Sequence, residues 1–188
     1  KSQKKVYDAC FLGGLRHSKG IDELVPIWGR VTEKFPQAKI IIIGGGTSEI
    51  TDKLRNDIKS HNLEDNILLL GPLSRVALFK KIKSCRLFLF PSHEEGWGIA
   101  LCEAMYCGLP IICYDLPAFK TFGEVVDKYE VGKYNDLSNK VLDYLKHPQK
   151  IANKKHSLVN VAKSYSWDKI AREEIQVYNK FLYVTANK

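Results

Sequence analysis

Glu95 and Glu103 bracket a glycine-flanked turn, Gly96-Trp97-Gly98, within the stretch Pro91-Ser92-His93-Glu94-Glu95-Gly96-Trp97-Gly98-Ile99-Ala100-Leu101-Cys102-Glu103-Ala104-Met105. The two glycines mark the opening of a helix, where unpaired N–H groups and the positive end of the peptide dipole face outward. A terminus of that kind takes an anion, and carboxylates beside it accept hydrogen bonds from hydroxyl groups. Both demands are met by a nucleotide sugar, an anionic diphosphate with a hydroxyl-rich ring at each end. Two glutamates at arbitrary positions would read as solvated surface; the flanking glycines move this pair toward a ligand.

A second candidate is Gly13-Gly14-Leu15-Arg16-His17-Ser18-Lys19-Gly20, a glycine-rich turn with two cations near a helix start. Glycine lets the backbone approach a ligand, and Arg16 and Lys19 suit a phosphate, although such turns are common after strands. Gly44-Gly45-Gly46-Thr47 is not G-x-G-x-x-G, so the dinucleotide fingerprint is absent and a tight turn is the simpler reading. His93, beside Glu95, is a candidate for contact with the sugar, whereas His17 reads as an exposed loop residue. Neither histidine has a Ser or Cys partner that suggests nucleophilic catalysis.

The elements that must position these residues are legible as alternating patterns. Five continuous apolar runs end at or near Gly or Pro: Ala9 to Gly13, Ile40 to Gly44, Ile67 to Gly71, Leu87 to Pro91, and Ile111 to Tyr114. Continuous rather than alternating runs predict strands buried on both faces. Between them, Ile21, Leu24, Val25, Trp28, Val31 and Phe35 step at helical spacing, as do Ile50, Leu54 and Ile58, then Val76, Phe79 and Ile82. Pro26 and Gly29 fall inside the first of these helices, which argues for a start nearer Asp22 than Gly20. After Asp136 there is no strand signal, and three helices are predicted around Val141–Leu145, Ile151–Ala162 and Trp167–Phe181. The fold class is therefore α/β, a Rossmann-like doubly wound parallel sheet with C-terminal helices. In such sheets ligands bind beyond the carboxyl ends of the strands, where both candidate loops lie.

The chain of 188 residues, 45% hydrophobic and 27% charged, reads as one globular domain over 1–188. No apolar run approaches the ~20 residues needed to span a bilayer. Five cysteines, an odd number without a C-x-x-C pair, fit a reduced compartment and neither a disulfide framework nor a zinc site. The excess of 29 basic over 21 acidic residues admits nucleic acid, an anionic membrane surface or a phosphorylated ligand. A lysine-rich solvated surface is the simpler reading. The lysines are scattered (Lys4-Lys5, Lys80-Lys81, Lys83, Lys154-Lys155) without interleaved aromatics, so no nucleic-acid partner is expected.

The stretch from Pro91 to Pro110, with Glu95 and Glu103 in an E-x7-E pattern, resembles the signature of family 4 retaining glycosyltransferases of the GT-B fold. The resemblance extends over nearly the whole chain. Phe11-Leu12-Gly13 leading to Lys19-Gly20, Ile43 to Gly46, Leu70-Gly71-Pro72-Leu73, and Asp115-Leu116-Pro117 down to Glu124 follow in the family's order. It implies the C-terminal, donor-binding half of that fold, using a UDP- or GDP-sugar without a metal or other cofactor. Lys19 and Glu95 are the implied catalytic residues: Lys19 neutralises the departing diphosphate and Glu95 holds the donor-sugar hydroxyls. Gly96, Trp97 and Gly98 present backbone amides, Glu103 takes the ribose, and Pro72 and Leu73 lie against the base. Gly13, Gly14, Arg16, Gly45, His93, Ile99 and Ala100 complete the implied donor site.

One position departs from the family. Gly14 stands where an Arg usually precedes the Leu of the first loop, so one cation of the diphosphate clamp is missing. Arg16 is the candidate substitute; the alternative is a poor catalyst or a non-catalytic nucleotide-sugar-binding or scaffold relative. Only Lys1 to Asp8 precede the first strand, so the acceptor-binding N-terminal domain is expected to lie outside this chain, which alone would not complete a reaction. The last helix, from Trp167 to Leu182, is expected to face that domain with part of its apolar side exposed. The implied setting is cytoplasmic, with a peripheral contact at the cytoplasmic membrane face open because many relatives modify lipid-linked acceptors.

Overall fold

A computed structural model describes the backbone of residues 5–186 and the side chains of 5–182; Lys4 of the Lys4-Lys5 pair lies outside the described residues. Six strands form one sheet: β1 (Tyr7–Leu12), β2 (Ile40–Ile43), β3 (Ile67–Gly71), β4 (Cys85–Phe90), β5 (Ile111–Tyr114) and β6 (Asp127–Tyr129). Their order is β3-β2-β1-β4-β5-β6, and every neighbouring pair is parallel. This is the Rossmann-like doubly wound arrangement, with its switch point between β1 and β4, where the strand order reverses.

The apolar runs account for the centre of the sheet. All four isoleucines of β2 are at most 1% exposed, and Ala9–Phe11, Leu87–Leu89 and Ile111–Tyr114 are fully buried. The run at Ile67 behaves differently. As β3 is an edge strand, Leu68, Leu69 and Leu70 are only half-buried, so continuous apolarity did not mean burial on both faces there. β6, at the other edge, reads Asp-Lys-Tyr and carries no apolar run by which it could have been found. The cysteines are free thiols, with Cys10, Cys85 and Cys113 buried, and burial pushes the Cys113 thiol up to about 12.

Helices flank the sheet: α1 (Ile21–Lys34), α2 (Ser48–Ser60), α3 (Arg75–Lys83), α4 (Ile99–Tyr106), α5 (Tyr134–Lys146), α6 (Pro148–Ser164) and α7 (Trp167–Ala186). α1 begins at Ile21, capped by Gly20, so Pro26 lies in its interior rather than in its first turn. The missing N–H would have met only the Asp22 carbonyl, one turn from the start. Complete burial of Leu24, Val25, Ile27 and Trp28 offsets that loss, at about 1.5–3 kcal/mol for each large side chain. Trp28 also donates its indole N–H to the Ala38 carbonyl at 3.3 Å. α1 packs on α5, and α4 on α6. The helical spacing of Val76, Phe79 and Ile82 marks no core face in α3: Ile82 is buried, Val76 is 69% exposed and Phe79 is half-buried. α7 leaves Trp167, Ile175, Val177 and Tyr178 exposed, as expected for its apolar side.

Candidate functional site

The loops leaving β1 and β4 meet at the switch point and are stitched together by their own backbones. The His93 amide donates to the Ser18 carbonyl at 2.9 Å, and the buried Ser92 hydroxyl lies 3.2 Å from the same oxygen. Gly20, at φ +68°, packs so closely that a Cβ there would sit 1.9 Å from the Pro91 carbonyl oxygen. This seam brings together two residues 76 positions apart: Lys19 Nζ donates to Glu95 Oε1 at 2.6 Å and to the Glu94 carbonyl at 2.9 Å. Both side chains are largely buried, 17% and 13% exposed, and Ser92 Oγ lies 3.1 Å from Glu95 Oε1. The two residues implied as catalytic thus form one ion pair, with the Nζ charge held beside the opening of α4.

That opening is bare of side-chain caps. Gly98, at φ +100°, precedes α4, and no described side chain caps the helix start. A Cβ at Gly98 would fall 2.9 Å from Phe119 and 3.3 Å from Phe122, so an aromatic floor lies directly beneath the turn. Ile99 and Ala100 form the first turn, with Ile99 exposed. An anion above Gly96–Gly98 would meet free amides and a dipole end as well as the nearby Lys19.

The loops after β2 and β3 join the same edge. Gly13 N–H donates to the Ile43 carbonyl (3.0 Å), Leu15 N–H to the Gly45 carbonyl (2.8 Å), and Gly44 N–H to the Gly71 carbonyl (3.1 Å). Gly45 lies against Pro72, where a Cβ would come within 3.9 Å of the proline ring. Leu73 is half-buried against the core, while Pro72 is exposed. At Gly14, an added Cβ would lie 3.2 Å from Arg16 Nε and 3.3 Å from Nη2. The Arg16 guanidinium therefore folds back over the position where the resemblance leads one to look for an arginine.

The histidines take fixed partners. His17 is exposed, as read, and pairs with Asp22. His93 Nε2 lies 2.8 Å from Glu23 Oε1, and its ring meets Tyr114 edge-on at 5.4 Å. The Tyr114 hydroxyl donates to the other Glu23 oxygen, and burial together with that carboxylate holds the phenol well above its ordinary range. With Nε2 held by Glu23, Nδ1 is the ring atom left for a further contact.

Glu103 stands in a different set of contacts. It opens on a cleft of about 1300 Å3 between α3, α4 and the α6–α7 junction, walled by Arg75, Phe79, Trp97, Ile99 and Tyr165. Arg75 Nη1 lies 3.6 Å from Glu103 Oε1, and the Arg75 guanidinium sits over the Phe79 ring at 5.3 Å. Burial raises the Glu103 carboxyl above the ordinary glutamate range, and Arg75 opposes that rise. Arg75→Gln should therefore raise it further, which carboxyl-carbon NMR titration would detect; an unchanged midpoint would show that the ion pair has no influence. Arg75 escaped the reading of the sequence although a local signal existed. Ser74 caps α3 by accepting from the Ala77 amide, which places an arginine at the first helical position after Pro72-Leu73.

These features define a class: a parallel α/β domain whose switch-point crevice offers amides, a helix start and paired charges to an anionic ligand. Residues 1–165 match the family of group 1 glycosyl transferases, and the chain belongs to that family. An uncharacterised glycosyltransferase of Methanocaldococcus jannaschii is 30% identical over 183 residues, 89% of this chain and 43% of that protein. The gpi3 subunit of the Schizosaccharomyces pombe phosphatidylinositol N-acetylglucosaminyltransferase is 26% identical over 95% of this chain and 39% of its own length. Among solved structures, Anabaena Alr3699/HepE in complex with UDP and glucose superposes with a TM-score of 0.84 at 19% identity, over 93% of this chain and 48% of that one. Staphylococcus aureus TarM, in a complex that includes UDP, also gives 0.84, at 23% identity over 95% and 37%. The fold is thus that of the C-terminal half of GT-B enzymes. The chain spans less than half the length of each of these relatives.

Proposed function

We propose that this chain is the donor-binding domain of a retaining glycosyltransferase, which transfers a sugar from a UDP- or GDP-sugar to a hydroxyl of a glycan or lipid-linked acceptor. The observation that carries the reading is the seam between the β1 and β4 loops, which sets the Lys19–Glu95 pair beside the uncapped start of α4. UDP held by two structural neighbours favours uracil as the base.

In this reading the diphosphate lies over Gly96–Gly98, where the amides, the helix dipole, Lys19 and Arg16 share its charge. As the bond from the anomeric carbon to the phosphate oxygen breaks, negative charge grows on the diphosphate and positive charge on the sugar ring. Preorganised cations and amides stabilise the first. The arriving phosphate draws Lys19 away from Glu95, which then accepts hydrogen bonds from the sugar hydroxyls, and Glu103 accepts those of the ribose. No metal is required in this scheme. An acceptor-binding domain outside this chain completes the cleft, and the exposed side of α7 faces it. The five free thiols suit the cytoplasm.

The test is thermal unfolding against UDP, GDP, ADP, TDP and their sugar conjugates, with and without EDTA. Ligand at 100 times its dissociation constant adds about 2.7 kcal/mol, and should raise the midpoint by roughly 5–10 °C. A selective shift, kept in EDTA and lost in Glu103→Ala, is the expected result; wild-type-like shifts in both Glu103→Ala and Lys19→Ala would remove the site assignment. A non-catalytic binding module is the second reading, favoured by Gly14. Sugar transfer by a longer protein containing this domain would exclude it.

A further inference from the structure

The turn that faces the diphosphate in the proposed function is held by an aromatic clasp, and the outermost member of that clasp comes from the far end of the chain. Trp97 meets the Phe122 ring at 5.3 Å and the Tyr165 ring at 5.2 Å, both edge-on. Phe122 and Tyr165 close the triangle at 5.7 Å. Phe122 is 1% exposed and lies in the 3-10 segment Pro117–Val125, which also supplies Phe119 beneath Gly98. Tyr165 is the first of the two residues between α6 and α7. Its hydroxyl is anchored at both the hydroxyl and the carbonyl of Thr121, at 2.6 and 2.7 Å, so the ring has a fixed place rather than a resting one.

Each glycine beside Trp97 lacks a side chain of its own to hold it. The indole is the one side chain the turn itself contributes to its packing, and it is wedged between Phe122 and Tyr165. We propose that Tyr165 is a positioning residue for the Gly96–Gly98 amides, acting through Trp97. The reach of those amides to a diphosphate is then set by the joint between α6 and α7. The proposal rests on the reading of Gly96–Gly98 as the diphosphate-facing element. It adds a residue that acts through the Trp97 ring and ties that element to the base of α7, the helix whose apolar side is exposed.

The experiment compares UDP with uridine, the same nucleoside without phosphates, by titration calorimetry and ligand-observed NMR on the chain. Tyr165→Leu keeps an apolar side chain but loses the ring edge and the anchor. Small displacements of positioning groups can cost up to about a hundredfold, and we expect roughly tenfold weaker UDP binding with uridine within about twofold of wild type. Tyr165→Phe, which keeps the ring, should recover UDP to within about threefold, since edge-on packing is the main contact. Equal weakening of UDP and uridine would show general loosening and overturn the proposal, as would unchanged UDP binding. Hydrogen exchange on the wild-type chain decides the matter even if the leucine variant unfolds. UDP should slow exchange at 96–101 and also at 164–168, and protection confined to the first segment overturns the proposal. If wild-type protein binds no UDP, or if Lys19→Ala and Glu103→Ala bind it normally, the site reading itself fails and takes the clasp's role with it.

Discussion

Lys19→Met is expected to lower both the stability of the chain and its affinity for a nucleoside diphosphate, and adding Glu95→Gln is expected to restore only the stability. The two side chains are 17% and 13% exposed and 2.6 Å apart. Removing the ammonium leaves a carboxylate mostly withdrawn from water with no cation, a change that costs about 3 kcal/mol. For a chain of this size that is roughly 10 °C in the midpoint. Glutamine at 95 carries no charge, can still accept from Ser92, and removes the orphan. Ligand binding responds to a different property. A lost charge-assisted contact to phosphate is worth about 1.5–3 kcal/mol, or about ten- to 150-fold in the dissociation constant. The double variant regains no cation, so its affinity stays low. Calorimetric unfolding and UDP titration on the four proteins of this cycle separate the two effects. If Glu95→Gln recovered affinity along with stability, Lys19 would be a structural cation rather than a diphosphate ligand.

Gly20→Ala should be strongly damaging for a change of one methyl group, and Gly132→Ala is its control. Both glycines have positive φ, +68° and +83°. Each alanine meets the same backbone penalty, of about 1–2 kcal/mol. At Gly132 nothing lies within 4 Å of an added Cβ, so the penalty should end there. At Gly20 the Cβ would be 1.9 Å from the Pro91 carbonyl oxygen, an impossible contact that forces the two loops apart. The expected loss is about 3–4 kcal/mol, in the range reserved for strain at a special backbone position. The separation of the loops also breaks the registry of Lys19 with Glu95, so UDP affinity should fall with stability in Gly20→Ala and remain intact in Gly132→Ala. Denaturant unfolding and UDP titration of both variants provide the comparison. Equal losses in the two would mean that backbone conformation alone, and not the seam, is what Gly20 serves.

Most of the sheet could be read along the chain because a buried strand leaves a local mark. Ile40–Ile43 and Leu87–Phe90 are continuous apolar runs, and they occupy β2 and β4 on either side of β1. The same mark misled at β3, where three leucines sit half-buried at the sheet edge, and in α3, where Val76 and Phe79 line a cleft instead of the core. Residue type reports a preference for leaving water, and only the arrangement of neighbours says whether another element covers it. β6 shows the converse, since an edge strand of Asp-Lys-Tyr needs its backbone paired but not its side chains buried.

The sequence by itself determined the alternation of strands and helices and the glycine-rich loops that follow β1 and β4, and it pointed to an anionic, hydroxyl-rich ligand as the kind those loops would suit. Tertiary structure alone decided the partnerships: Lys19 with Glu95 across 76 positions, Glu103 with Arg75, His93 with Glu23, and Trp97 with Phe122 and Tyr165. Periodicity and turn chemistry act within a few residues, so they are written locally. Contacts between loops depend on the order in which parallel strands are laid side by side, and that order is a property of the whole packed sheet.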